Sequence, residues 1–330
     1  MFASSRFIFH RLTIGAFAAV CALSAPALAL AQGQWPSRTI RVVVGFPPGG
    51  TTDVMARNVA HGLSEALGQP VIVDNRPGAS GNIAASEVIK AAPDGYTFLI
   101  APTSVETANP SLFKANFHPA KDLTPVAGIG RTAMYVVAKP DIEAKDVKEL
   151  VTMAIAKPGK LSYASAGAGT PPHLAAELFR QQTQIVATHI PYRGAAPALQ
   201  DVMAGHADYV FDPGIAFPHI RAGKVKLLGV ASSKRSPFFP DTPTLAEQGI
   251  KGAELDIWFG VWAPNGTPAE IVARLTRELE KVLARPTLGQ RFAELGAEPA
   301  PLDTPAFRKL LAEEGRLLTA LIKDRKISVD

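Results

Sequence analysis

The chain has 330 residues, 47% of them hydrophobic and 19% charged, so it can bury a sizeable core and is long enough for two α/β domains of ordinary size. Its 34 basic and 29 acidic residues leave a net charge of +5. That balance is too mild and too dispersed for a nucleic-acid binder, yet it does not repel a small anion.

At the start of the chain Arg6, His10 and Arg11 precede an apolar run from Leu12 to Ala25, and Ala29-Leu30-Ala31 stands before Gln32. A basic start, a short apolar stretch and a small-residue site make the pattern of a secretory signal peptide, cleaved near Ala31-Gln32. The run falls short of the roughly 20 residues of a membrane-spanning helix. Cleavage removes the only cysteine, Cys21, and leaves 32 basic against 29 acidic residues. Thiol catalysis and cysteine metal sites are thereby excluded from the mature chain, which is expected to be exported.

From Thr39 onward short apolar strands alternate with amphipathic helices. Strands are expected at Thr39–Phe46, Val71–Asp74, Thr97–Ala101, Met134–Ala138, Leu161–Ala164, Val186–His189, Tyr209–Phe211 and Lys226–Ala231, and helices at Thr51–Leu67, Asn82–Ala91, Val147–Ala156, Pro172–Gln182 and Ala195–Ala204. After Trp262 the alternation stops, and Pro268–Leu283 and Pro305–Lys326 read as long helices covering an existing sheet. The apolar runs Ala133–Pro140 and Glu254–Pro264 flank the middle third and read as two crossings between domains. The expected fold is therefore α/β with largely parallel sheets. Domain I spans 32–133 plus 258–330, domain II spans 134–257, and a two-crossing hinge joins them.

Two corners repeat one layout. The first strand ends at Phe46 and passes through Pro48, Gly49, Thr51 and Asp53 into a helix; the strand at Leu161–Ala164 passes through Ser165, Ala166, Gly167, Ala168 and Thr170 into a helix that carries His173. A helix start exposes unpaired backbone N–H groups and the positive end of the helix dipole, which suits an anion, and glycine permits close approach. The same threonines would serve equally as N-caps, with Asp53 or His173 bonding locally. Further candidate walls are Ser80 in a third Gly-rich loop, Thr103 and Ser104 after a strand end, and Tyr192-Arg193-Gly194. Arg193 could grip a carboxylate through two parallel hydrogen bonds, or stand as an ordinary surface arginine. Asp212, followed by Pro213-Gly214, reads as a turn or crevice residue.

Signs of catalysis are lacking. The chain has no G-x-S-x-G elbow, no H-E-x-x-H, no phosphate-binding G-x-x-x-x-G-K and no complete G-x-G-x-x-G. His173 and Glu177 stand four apart on one helix face, but no third metal ligand follows from spacing. Neither a cofactor nor a metal is expected, and no catalytic residue is assigned. Trp258, Phe259 and Trp262 near the second crossing would pack the hinge or face a ligand, with core packing the preferred reading.

The blocks FPPGGTTDVMAR, VIVDNRPGASGNIAASEV, APDGYTFLIAP, GKLSYASAGAGTPPHLAAELF, HIPYRGAAPALQDVMAGHADYVFD and the Pro240–Gly249 segment follow one another in an order that resembles the tripartite tricarboxylate transporter solute-binding proteins, the Bug family. The resemblance implies a type II periplasmic-binding-protein fold closing on a small organic-acid or amino-acid carboxylate. It also implies delivery to integral-membrane transporter subunits, by a protein expected to be monomeric and to be no enzyme. Loops matching Pro47–Asp53 and Ser165–Thr170 would hold the solute from opposite domains. Phe117-His118-Pro119 departs from the Tyr-Asp-Pro common in the family. A sensory adaptor presenting the same solute to a receptor, or an exported hydrolase, are the alternative readings.

Overall fold

A computed structural model describes residues 35–329; the expected signal peptide, residues 1–31, lies outside them. The unit from Arg38 onward contains two mixed sheets. The first has six strands: β1 (Ile40–Val44), β2 (Val71–Asn75), β3 (Thr97–Pro102), β4 (Leu123–Thr132), β10 (Ile257–Pro264) and β11 (Ala297–Leu302), in the order β11-β4-β10-β3-β1-β2. The second has five, β5 (Met134–Ala138), β6 (Ser162–Ser165), β7 (Thr188–Pro191), β8 (Tyr209–Asp212) and β9 (Lys226–Ala231), in the order β7-β6-β8-β5-β9.

Each sheet has three neighbouring parallel strands, β2-β1-β3 and β7-β6-β8, followed by an antiparallel strand that arrives from the other half. Only Ala133 separates β4 from β5, and residues 232–256 lead from β9 to β10. A strand entering from the other half meets the carboxyl ends of the parallel strands and must run against them. The expectation of largely parallel sheets is corrected accordingly: β10 and β11 run against the rest of the first sheet and β5 against the second.

Two further strands lie where the sequence predicts none. Glu254–Pro264 was expected only as a crossing, yet β10 pairs with β3 and β4 within the first sheet; the tail after Trp262 was expected to be helical, yet it returns as β11. β4, with the sequence LTPVAGIGRT, is buried along most of its length and so shows no alternation. A Cβ on Gly130 would sit 2.9 Å from Phe292 Cε2, so these strand glycines make room for neighbours rather than turns. β11 carries two prolines and pairs with β4 alone, the edge position where a missing N–H is tolerated.

Helices cover both faces of the first sheet. On one side α1 (Thr51–Leu67), α6 (Ala269–Leu283) and α7 (Pro286–Ala293) pack together; α6 buries Ile271, Leu275, Leu279 and Val282 at helical spacing. On the other, α2 (Asn82–Ile89) and α8 (Thr304–Arg325) enclose Val43, Leu99, Trp262 and Phe307. The second sheet lies between α5 (Ala195–Met203), whose Ala198, Leu199 and Val202 meet Tyr135 and Val210, and α4 (Pro171–Thr183), whose Phe179 meets Phe211 at 5.6 Å between ring centroids. α3 (Val147–Ala156) brings Val147 against Gly229 of β9. No helix among the described residues is long and apolar enough to cross a membrane.

Candidate functional site

The loops after β1 and β6, the two strands central to the parallel triplets, converge with the loop after β7 on a cavity of about 120 Å³. Its walls are Phe46, Pro47, Pro48, Gly50, Thr51 and Thr52 from the first loop, Ala166, Thr170, Pro171 and Pro172 from the second, and Arg193 to Pro197 from the third. Pro102, Pro213, Ile257 and Phe259 complete it. This position, outside the carboxyl ends of parallel strands, is the usual ligand crevice of α/β sheets.

The first loop turns at Gly49, with φ +84°, and Gly50 caps α1 with no side-chain hydrogen bond. The first-turn N–H groups of Thr51, Thr52 and Asp53 have no intrahelical partner. Thr51 is 5% exposed, and its Oγ1 is buried with no hydrogen-bond partner among the described residues. A buried hydroxyl left unpaired is costly unless something else bonds to it.

Asp53 has a different task. Its carboxylate accepts from the Gly49 N–H at 3.0 Å, Arg57 Nε at 3.0 Å and Asn75 Nδ2 at 2.8 Å, and Asn75 Nδ2 also reaches the Phe46 carbonyl at 3.0 Å. Burial alone would raise its pKa, but the bonds from Arg57, Gly49 and Asn75 outweigh it and hold the carboxyl below its ordinary value. Asp53 fixes the corner from behind, and Gly49 is likewise absent from the cavity wall.

The second loop is also braced from within. Thr170 Oγ1 donates to the Gly167 carbonyl at 2.6 Å, Ser165 Oγ bonds His189 Nε2 at 2.7 Å, and the Gly169 N–H donates to His173 Nδ1 at 3.0 Å. His173 and His189 stack at 4.0 Å between centroids, and burial pushes the pKa of each down to about 4, so both rings are neutral at pH 7. His173 and Ser165 therefore shape the loop and stand off the cavity wall. Because Pro171 and Pro172 open α4, only the His173 N–H remains as a first-turn donor there, so the two corners are unequal and α1 offers the richer anion seat.

Ser80 Oγ donates to the Ala168 carbonyl at 2.6 Å, tying the first half to the second, and lines a larger neighbouring cavity with Gly167, Ala168 and Tyr192. Arg193 and Gly194 line both cavities. Arg193 is exposed and has no hydrogen bond or ion pair among the described residues, in contrast to Arg57, Arg131 and Arg180. Thr103 and Ser104 lie behind the site: Thr103 Oγ1 is 2.8 Å from both oxygens of Glu314. Asp212 accepts from the Gly214 and Ala216 N–H groups at 2.7 and 2.9 Å; burial carries its pKa up to about 6, and it holds the loop whose Pro213 forms part of the wall.

The sequence reading passed over Pro102, Pro172 and Pro197 as wall residues. Phe259, for which core packing was preferred, is 1% exposed and also lines the wall. The signal available was the density of proline around three helix starts, which leaves an apolar wall and, at α4 and α5, removes first-turn donors. No cluster of three metal-ligating side chains occurs among the described residues.

Residues 55–327 match the family described as "Tripartite tricarboxylate transporter family receptor". Protein BugT of Bordetella pertussis is 35% identical over 318 residues, 94% of this chain and 95% of that one. Among solved structures, a Rhodopseudomonas palustris protein with adipate superposes with a TM-score of 0.85 at 36% identity, covering 89% of this chain and 99% of its own. MatC of the same organism, with bound malate, gives 0.81 at 33% identity, covering 87% and 100%. The fold is that of the two-domain periplasmic binding proteins. The chain belongs to the tripartite tricarboxylate transporter receptor family.

Proposed function

We propose that the chain is exported to the periplasm and there captures a small carboxylate between domain I (32–133 plus 258–330) and domain II (134–257), releasing it unchanged to integral-membrane transporter subunits. The observation that carries this reading is the meeting, at one cavity, of the α1 start with its unpartnered Thr51 Oγ1 and the unpaired guanidinium of Arg193. One seat takes a carboxylate through N–H and hydroxyl donors, and the other through a guanidinium fork. Relatives solved with adipate and malate support this class of solute.

The proposed motion is hinge closure about Ala133 and the 232–256 segment. Solute drives it only through greater affinity for the closed form. Gly50, Thr51, Thr52, Ala166, Thr170, Arg193 and Gly194 are the proposed contacts, with Asp53, Ser165, His173 and Asp212 holding the loops that carry them. The working unit is a monomer.

Thermal unfolding against a panel of mono-, di- and tricarboxylates and amino acids tests the reading. A solute at about 100 times its dissociation constant stabilises by about 2.7 kcal/mol, a shift of several degrees. Recovery of that acid chemically intact completes the expected result; the absence of any shift across the panel, or conversion of the acid, defeats it.

A further inference from the structure

The larger cavity, about 490 Å³, shares Phe46, Pro47, Arg193 and Gly194 with the smaller one and extends past them to Phe113 and Val329. Its hydroxyl groups are already engaged: Ser80 with the Ala168 carbonyl, Thr170 with the Gly167 carbonyl, and Tyr192 with Asp201 Oδ2, each at 2.6 Å. Apart from Arg193, its side chains therefore offer a solute apolar surface.

Phe113 and Val329 come from far apart in the chain and meet at one point of the opposite half. A Cβ on Gly169, whose φ is +74°, would lie 3.3 Å from Phe113 Cε2 and 3.3 Å from Val329 Cγ1. The segment bearing Val329 is tied down just before it. Arg325, at the end of α8, places Nη2 3.8 Å from Glu177 Oε2 on α4, a carboxylate that also bonds Arg180 and the Tyr163 hydroxyl. The outer wall thus holds together only when both halves are in place.

We infer that this outer chamber receives the apolar portion of the carboxylate solute, and that Phe113 and Val329, the latter on a segment tied down by the Arg325–Glu177 pair, set the longest aliphatic chain the site accepts. The inference rests on the proposed carboxylate-binding function. It assigns specificity to residues outside the Gly-rich loops: the loops recognise the acid group and the wall measures the rest.

Titration calorimetry with unbranched monocarboxylates of increasing chain length tests it on the wild type, Phe113→Ala and Val329→Phe. Affinity is expected to rise about fourfold per added methylene while the chain is being buried, then fall once the chamber is full. Phe113→Ala moves the optimum to longer acids and Val329→Phe moves it to shorter ones, so if one variant misfolds the other still decides. An optimum at the same length in all three proteins overturns the inference and leaves the proposed function intact; failure of the wild type to bind any carboxylate defeats both.

Discussion

Thr51 and Asp53 stand two residues apart at one helix start and divide the work of the corner. The Asp53 carboxylate is used up by Gly49, Arg57 and Asn75, whereas the Thr51 hydroxyl is buried and unclaimed by the described residues. In the proposed receptor Thr51→Val keeps the shape, removes the donor and relieves an unpaired buried hydroxyl. Solute affinity is expected to fall about tenfold or more, as for loss of a hydrogen bond to a charged group, with the unfolding midpoint of the solute-free protein unchanged or higher. Calorimetry and a melt on the same preparation check both halves; retained affinity means the hydroxyl plays no part in binding. At this scale the sequence marked the right corner but not the division of labour. A polar side chain at a helix start can face its own backbone or a ligand, and Asp53 is turned away from the cavity by Gly49 and Arg57 nearby and by Asn75, brought in from β2. His173 was placed near the site on the same grounds, and its ring is committed to the Gly169 N–H.

Among the elements, the contact of α1 with α6 shows how packing reverses a local rule. Gly62 lies inside α1, where replacing glycine by alanine ordinarily adds about 1 kcal/mol of stability. Here the new Cβ would fall 2.4 Å from Val282 Cγ1, so Gly62→Ala is expected to destabilise. With Val282→Ala already present, Gly62→Ala should stabilise instead, a sign change that a double-mutant cycle in urea reads directly. A rise in stability from Gly62→Ala alone would show that the helices separate to admit the methyl. Helices such as α1 and α3 were legible to the residue because their periodicity and end signals are local. β4, β10 and β11 were not, since burial on both faces erases alternation and an edge strand tolerates the prolines that argue against a strand.

Across the whole molecule, α8 carries a half-buried carboxylate to the junction of the two halves. Glu314 faces Thr103 and Thr107, lies near the carboxylate of Glu106, and lines a small cavity with Asp256, Pro171 and Leu174. Burial raises its pKa from 4.5 to about 7 against the pull of the two threonine hydroxyls. The folded chain keeps a proton that the unfolded chain releases, so this group's contribution is fully present below pH 4.5 and is lost as pH rises through about 7. His173 and His189, held down to about 4, act in the opposite sense: their contribution is present above pH 6.5 and lost as pH falls. The wild-type profile therefore mixes the two, and the difference between Glu314→Gln and wild type isolates the first. That difference is expected to move in favour of the variant by about 3 kcal/mol between pH 4.5 and pH 7.5, read from urea unfolding; a flat difference would mean that Glu314 is ionised throughout.

The sequence by itself determined the family, the two-half α/β plan, the Gly-rich corners after β1 and β6, and the placement of most helices, because each depends on short-range periodicity, turn chemistry or an ordered series of motifs. The tertiary structure alone decided that β10 and β5 run against their neighbours, that Thr51 rather than Asp53 is left unbonded among the described residues, and that Phe113 and Val329 meet over Gly169. Each of these is a contact between segments tens to hundreds of residues apart. Local pattern records which face of an element is apolar, and carries no information about which distant group will cover it.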